Sequence, residues 1–127
     1  MPFVRIDTLK DHYDEQQRKA MGEAVYQSLL EVGVPANDRF QVFSEKTPAE
    51  LVFDRNYLGI ERTDGFVVVQ ITWNTGRSLE QKKQLYASIA NRMSATAGVR
   101  PGDVFINLIE VPRENWSFGN GEAQYAK

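Results

Sequence analysis

The 127-residue chain has no cysteine and a single histidine, His12. Without thiols there is neither a disulfide framework nor a thiolate nucleophile, and one imidazole cannot build a histidine metal cluster. His12 lies in a polar stretch and reads as a solvated loop residue, so no metal site is expected. Long apolar runs are missing as well. None approaches the roughly 20 residues that span a bilayer, and the N-terminus lacks the apolar core of a secretion signal. Nor does one sign of charge dominate: 15 Lys and Arg against 17 Asp and Glu leave a net charge of −2, with no block of like charges. Such a surface argues against nucleic acid as a partner. These absences predict a cytoplasmic protein with neither a membrane nor a nucleic-acid partner. The 42% hydrophobic content and the length suit one domain with one core, spanning residues 1–127.

The chain starts Met1-Pro2-Phe3-Val4-Arg5-Ile6. Trimming of Met1 would make Pro2 the N-terminus and give it a secondary amine held in a ring. An α-amine titrates near pH ~8 and is moved down by desolvation or a nearby cation and up by a carboxylate, so it can act as general base or general acid. If Met1 stays, the Pro2 nitrogen is an amide and has no such chemistry. Met-Pro alone carries little weight, because many chains begin this way without catalytic consequence.

Phe3 to Asp7 reads as a strand. From about Asp14 the period changes: Met21, Ala24, Val25, Ser28, Leu29 and Val32 fall on one helical face, which Gly33 ends. A turn through Pro35-Ala36-Asn37-Asp38 leads to a second strand over Arg39–Phe43. Residues 44–64, broken by Pro48 and Gly59, suggest short strands or a hairpin. Phe66–Ile71 is a near-continuous apolar strand, and a loop is expected over Thr72–Arg77. Ser78 and Gln81 form a capping box for a second helix with a stripe of Leu85, Ile89, Met93 and Ala97, closed by Gly98. Val104–Ile109 is the next strand, followed by a tail over 112–127.

The two halves repeat. Glu15-Gln16 matches Glu80-Gln81, Gly33 matches Gly98, Asp38 matches Asp103 and Phe40 matches Phe105, all at an offset of 65 residues. Phe3-Val4 matches Phe66-Val67 at an offset two residues shorter, which puts the extra length in the strand-helix loop that contains Arg77. The reading is a duplicated β-α-β unit, about 2–46 and 65–111. It forms an α+β two-layer fold with a four-stranded mixed sheet and two helices on one face. The other sheet face, judged from Phe66 and Val68, is expected to be too apolar to stay wet. A ferredoxin-like monomer is compatible with the repeat, but an oligomer with inward sheets is favoured.

Several side chains could carry chemistry. Arg77, after Gly76, can grip a carboxylate bidentately, or be a solvated loop residue. Between parallel strands it reaches Pro2 only if its loop folds back or a neighbour supplies it. Asp38 can cap its turn or sit against the Pro2 amine, and its repeat equivalent Asp103 argues for the structural role. Trp116 and Phe118, in Trp116-Ser117-Phe118-Gly119-Asn120-Gly121, need burial, either in packing or as the wall of a pocket.

On Pro2, Asp38-Arg39-Phe40-Gln41, Leu58-Gly59-Ile60, Gly76-Arg77, Trp116-Ser117-Phe118-Gly119 and Ala123-Gln124-Tyr125, the chain resembles the tautomerase superfamily, in particular its malonate semialdehyde decarboxylase group. The resemblance covers nearly the whole chain. It implies a homotrimeric enzyme without a cofactor, acting on a small carboxylate-bearing carbonyl or enol substrate by decarboxylation, hydration or keto-enol tautomerisation. Pro2 would be the catalytic amine, Asp38 the group that orients or activates water, Arg77 the carboxylate binder, and Trp116 and Phe118 the apolar wall. Where some relatives carry two arginines, this chain has Asn74-Thr75-Gly76-Arg77, with Asn74 as a weaker substitute in substrate binding and Trp73 a further large group in the loop. Asn120 stands where an aromatic is more usual. The alternative from another functional class is a non-enzymatic ferredoxin-like module that binds a small acid through Arg77.

Overall fold

The computed structural model describes residues 1–126. Strand β1 (Phe3–Leu9) is followed by helix α1 (Glu15–Glu31) and strand β2 (Phe40–Lys46), then by strand β3 (Val67–Asn74), helix α2 (Leu79–Ala97) and strand β4 (Val104–Val111). The sheet order is β2-β1-β3-β4, with parallel outer pairs and an antiparallel central pair. Each parallel pair is one β-α-β repeat, so the duplicated unit and the mixed sheet are as the sequence implies.

Both helices start at full capping boxes. Asp14 accepts from Gln17 N–H at 2.7 Å while the Gln17 side chain accepts from Asp14 N–H at 3.0 Å, and Ser78 and Gln81 do the same at α2. Replacing Ser78 with alanine leaves a first-turn N–H without its acceptor. A loss of about 1 kcal/mol is expected, visible as a thermal midpoint lower by roughly 3–6 °C. The stripe Met21, Val25 and Leu29 of α1 and the stripe Leu85, Ile89 and Met93 of α2 are fully buried against Val4, Ile6, Val67, Val69 and Ile71 of the sheet.

Three expectations need correction. Residues 47–64 contain a single 3₁₀ turn, Tyr57–Gly59, and no strand. Leu58 and Gly59 both take positive φ, which breaks any extended run, and the segment is held by side chains: Phe53 stacks on Phe66 at 4.1 Å and Arg55 pairs with Asp64 at 2.8 Å. Next, β3 runs on to Asn74, so Trp73 is no loop residue. It continues the inward alternation of Val67, Val69 and Ile71 and is fully buried. Lastly, the uncovered sheet face is less apolar than expected. Phe40, Val42, Phe105 and Ile109 are exposed on it, but Arg5, Asp7, Gln70 and Asn107 stand among them.

Candidate active site

The antiparallel central pair places the start of β1 beside the end of β3, with Phe3 opposite Thr72. β4, parallel to β3, ends there too, with Val111 opposite Asn74. The N-terminus, the loop carrying Arg77 and the tail after β4 therefore meet at one edge, all within one chain. The positive φ of Gly76, +133°, is open to glycine and turns that loop immediately before Arg77.

A cavity of about 210 Å³ opens at this edge, lined by Met1, Pro2, Phe3, Phe40, Trp116, Ser117 and Phe118. Its wall is aromatic: Trp116 stacks on Phe118 at 5.7 Å, and Tyr125 meets Phe118 edge-on at 4.8 Å. The tail is fastened by Trp116 Nε1–H donating to Asn74 Oδ1 at 2.8 Å and by Phe118 N–H donating to Gln124 Oε1 at 2.9 Å. Larger clefts of about 290 to 370 Å³ lie elsewhere. Arg55 in one of about 320 Å³ and Arg39 in one of about 370 Å³ are already paired, with Asp64 and Glu23 respectively, and neither cleft holds an amine terminus.

Pro2 is buried, and the amino group of Met1 lies 3.6 Å from Asp38 Oδ2. The other oxygen of Asp38 is shut off from solvent and accepts no hydrogen bond among the described residues. Asp103, its repeat equivalent, is 1% exposed and fully engaged. Thr63 donates to its two oxygens from N–H at 2.7 Å and from the hydroxyl at 2.6 Å, and Arg100 stands 3.4 Å away. In the second repeat Gly65 occupies the place of Pro2, inside a continuous chain. One aspartate thus holds a loop, while the other faces a chain terminus with acceptor capacity to spare.

The α-amine of Met1 is pushed below its ordinary value. Burial contributes most, Asp38 opposes it, and the charges of Arg77 and Arg113 add to the lowering. Arg77 does not line the cavity. Its guanidinium lies over the Trp73 ring at 4.9 Å, half-buried, and acts on the amine through space. The structure thus gathers Pro2, Asp38, Trp116 and Phe118, sets Arg77 behind them, and ties the Asn74 carbonyl to Trp116. Arg113, Phe3 and Phe40 were not assigned to a site from the sequence. The signal for Arg113 is its place just after β4, on the same edge as Asn74. No group of three or more His, Cys, Asp or Glu side chains placed to hold a metal ion occurs among the described residues.

Comparison with known proteins points to one family. A family model described as tautomerase enzyme matches residues 38–119. The probable tautomerase YusQ of Bacillus subtilis (strain 168) is 42% identical over 125 residues, 98% of each chain. Among solved structures, FG41 malonate semialdehyde decarboxylase inhibited by 3-bromopropiolate is 36% identical, with a TM-score of 0.88 over 97% of this chain and 93% of its own. A second malonate semialdehyde decarboxylase, solved in wild-type, mutant and inactivated forms, is 31% identical, with a TM-score of 0.89 over 97% and 95%.

Proposed function

The chain belongs to the tautomerase family, and on that premise we propose that it moves a proton on a small carboxylate-bearing keto or enol acid, using the amine of Pro2 after Met1 is removed. The observation that carries this reading is the Asp38 carboxylate, held with one unengaged oxygen beside the amino group of Met1, one residue from Pro2, at an aromatic cavity. Met1 lines that cavity, so its removal opens space next to Pro2.

Keto-enol tautomerisation fits the electrostatics best. In this structure the terminal amine is that of Met1, and burial and two arginines push it down. The same surroundings acting on Pro2 would leave its amine neutral at lower pH than usual, as a general base must be. The neutral Pro2 amine takes the enol hydroxyl proton, and the resulting ammonium delivers a proton to carbon. No atom is gained or lost. Arg77 holds the substrate carboxylate, Asp38 orients the amine, Asn74 keeps Trp116 in place, and Trp116 and Phe118 take the apolar substituent. A second reading, decarboxylation of a 3-oxo acid, is supported by the likeness to malonate semialdehyde decarboxylase. There a protonated amine polarises the carbonyl, the carbon-carbon bond breaks, carbon dioxide leaves, and the electron pair passes into an enol that is protonated on carbon. The working assembly in either case is a homotrimer whose sheets face inwards.

The test is a pH profile on chain shown by intact mass to lack Met1, with the enol of an aryl-substituted 2-oxo acid as probe. As base, the amine must lose its proton to work, so kcat/KM should rise with pH and level off at a midpoint below the ordinary ~8. Asp38→Asn removes the carboxylate that raises the Met1 amine in this structure, and with Pro2 in that place the change should move the midpoint further down. A rate that falls as pH rises would favour the protonated amine and decarboxylation, and a chain that keeps Met1 would defeat both readings.

A further inference from the structure

Six of the chain's nine arginines are engaged: Arg18, Arg39, Arg55, Arg92 and Arg100 pair with carboxylates, and Arg62 donates to three backbone carbonyls. Of the other three, Arg5 lies on the sheet between Val42 and Gln70, whereas Arg77 and Arg113 stand beside the site. Among the described residues neither of these two has an ion pair or a hydrogen bond. Each is held by a ring instead, Arg77 over Trp73 at 4.9 Å and Arg113 over Tyr125 at 6.0 Å. A guanidinium lying over a ring keeps its N–H fork free. The carboxylate at the end of β4, Glu110, is taken by Lys82 at 3.0 Å, and Glu114 does not close on its neighbour Arg113.

The two rings belong to different parts of the aromatic wall. Trp73 precedes Asn74, which holds Trp116, whereas Tyr125 rests edge-on against Phe118. Trp116 and Phe118, stacked on each other, lie between them in the order of contacts. Both arginine charges reach the amino group of Met1 and lower it. Asn74, expected to stand in for a second arginine, has its carbonyl committed to Trp116.

We infer that Arg113 is a second anion-binding side chain of this site, and that the substrate it selects is a keto or enol acid with a second carboxylate, distal to the one Arg77 grips. The inference rests on the function proposed above and narrows its substrate class. The apolar span between the two carboxylates would lie along Trp116 and Phe118, and two grips at a fixed separation would select by chain length. Arg77 is half-buried and Arg113 exposed. Water screens an exposed guanidinium too strongly for it to steady charge developing on the reacting atoms, so Arg113 suits a carboxylate at the mouth.

The test is calorimetric binding to chain shown by intact mass to lack Met1, using 2-oxoglutarate, 2-oxoadipate and 2-oxopimelate and the 2-oxo monoacids of the same lengths. One diacid should bind about 5- to 10-fold more tightly than its monoacid. Arg113→Gln should abolish that preference and Arg113→Lys should recover part of it, while Arg77→Gln should weaken both acids and keep the preference. Circular dichroism confirms folding, which a change at an exposed position should not disturb. A chain that binds neither class of acid would overturn the proposed function and the role of Arg113 with it. Binding without preference for any diacid, or a preference that survives Arg113→Gln, would overturn the role of Arg113 alone.

Discussion

Replacing Pro2 with alanine is expected to lower kcat/KM by about 10²-fold or more, within the range a positioned general base supplies. Alanine in its place would still offer an amine after Met1 is removed, so the loss isolates what the ring provides. A primary amine on a rotatable bond spends much of its time away from the reacting proton, whereas the pyrrolidine nitrogen is fixed by its own ring and by burial at the head of β1. Folding should survive, because Pro2 precedes β1 and takes no part in its ladder, and alanine keeps the Cβ at that buried place. Turnover and thermal melting, measured on chains matched for N-terminal processing, separate the two effects. Unchanged turnover in Pro2→Ala would remove the amine from the mechanism.

How much of this was legible without coordinates depends on the range of the interaction that decides each feature. Helical periodicity is local, and Met21, Ala24, Val25, Ser28 and Leu29 of the expected stripe are all buried, as are Leu85, Ile89, Met93 and Ala97. Capping is local as well, and Ser78 with Gln81 is found as read. The end of β3 is not local. Trp73-Asn74-Thr75-Gly76 carries loop composition, yet pairing to Glu110 and Val111 of β4 keeps Trp73 and Asn74 in the sheet. The segment 47–64 misled in the opposite direction. Val52 and Leu58 invite a strand, but they are 82% and 77% exposed and no partner strand lies beside them.

The site divides in the same way. Pro2, Trp116 and Phe118 stood out by residue type, and they share a cavity. What sequence could not settle was how Arg77 comes near Pro2, because the answer lies in the antiparallel β1-β3 pair that joins the two repeats. That junction is a choice of tertiary structure. Each repeat by itself specifies a parallel pair and says nothing about how the two pairs meet. Arg113, Phe3 and Phe40 escaped for the same reason, since the tail and the two strand ends become neighbours when the sheet is complete.

The repeat also yields the sharpest contrast between folding and function, because one substitution made at two equivalent positions should act on different properties. Asp103→Asn sets an amide that must face donors with both of its polar atoms, while Thr63 offers two donors and Arg100 a cation. One donor is left unmet in a buried place, and a loss of about 3 kcal/mol is expected, a drop of roughly 10–15 °C in thermal midpoint. Activity per folded molecule should hold. Asp38→Asn should do the reverse. Its 3.6 Å contact is with the amino group of Met1 and is gone once Met1 is removed, and its buried Oδ1 engages no donor among the described residues, so neutralising it should cost little stability. Loss of the carboxylate leaves the amine unoriented, for which about 10–10²-fold in kcat/KM is expected. Melting and steady-state kinetics on both variants decide the matter. If Asp38→Asn melts like Asp103→Asn and turns over like the unaltered chain, Asp38 is a turn residue, and the bottom of the cavity has no acid-base partner for Pro2.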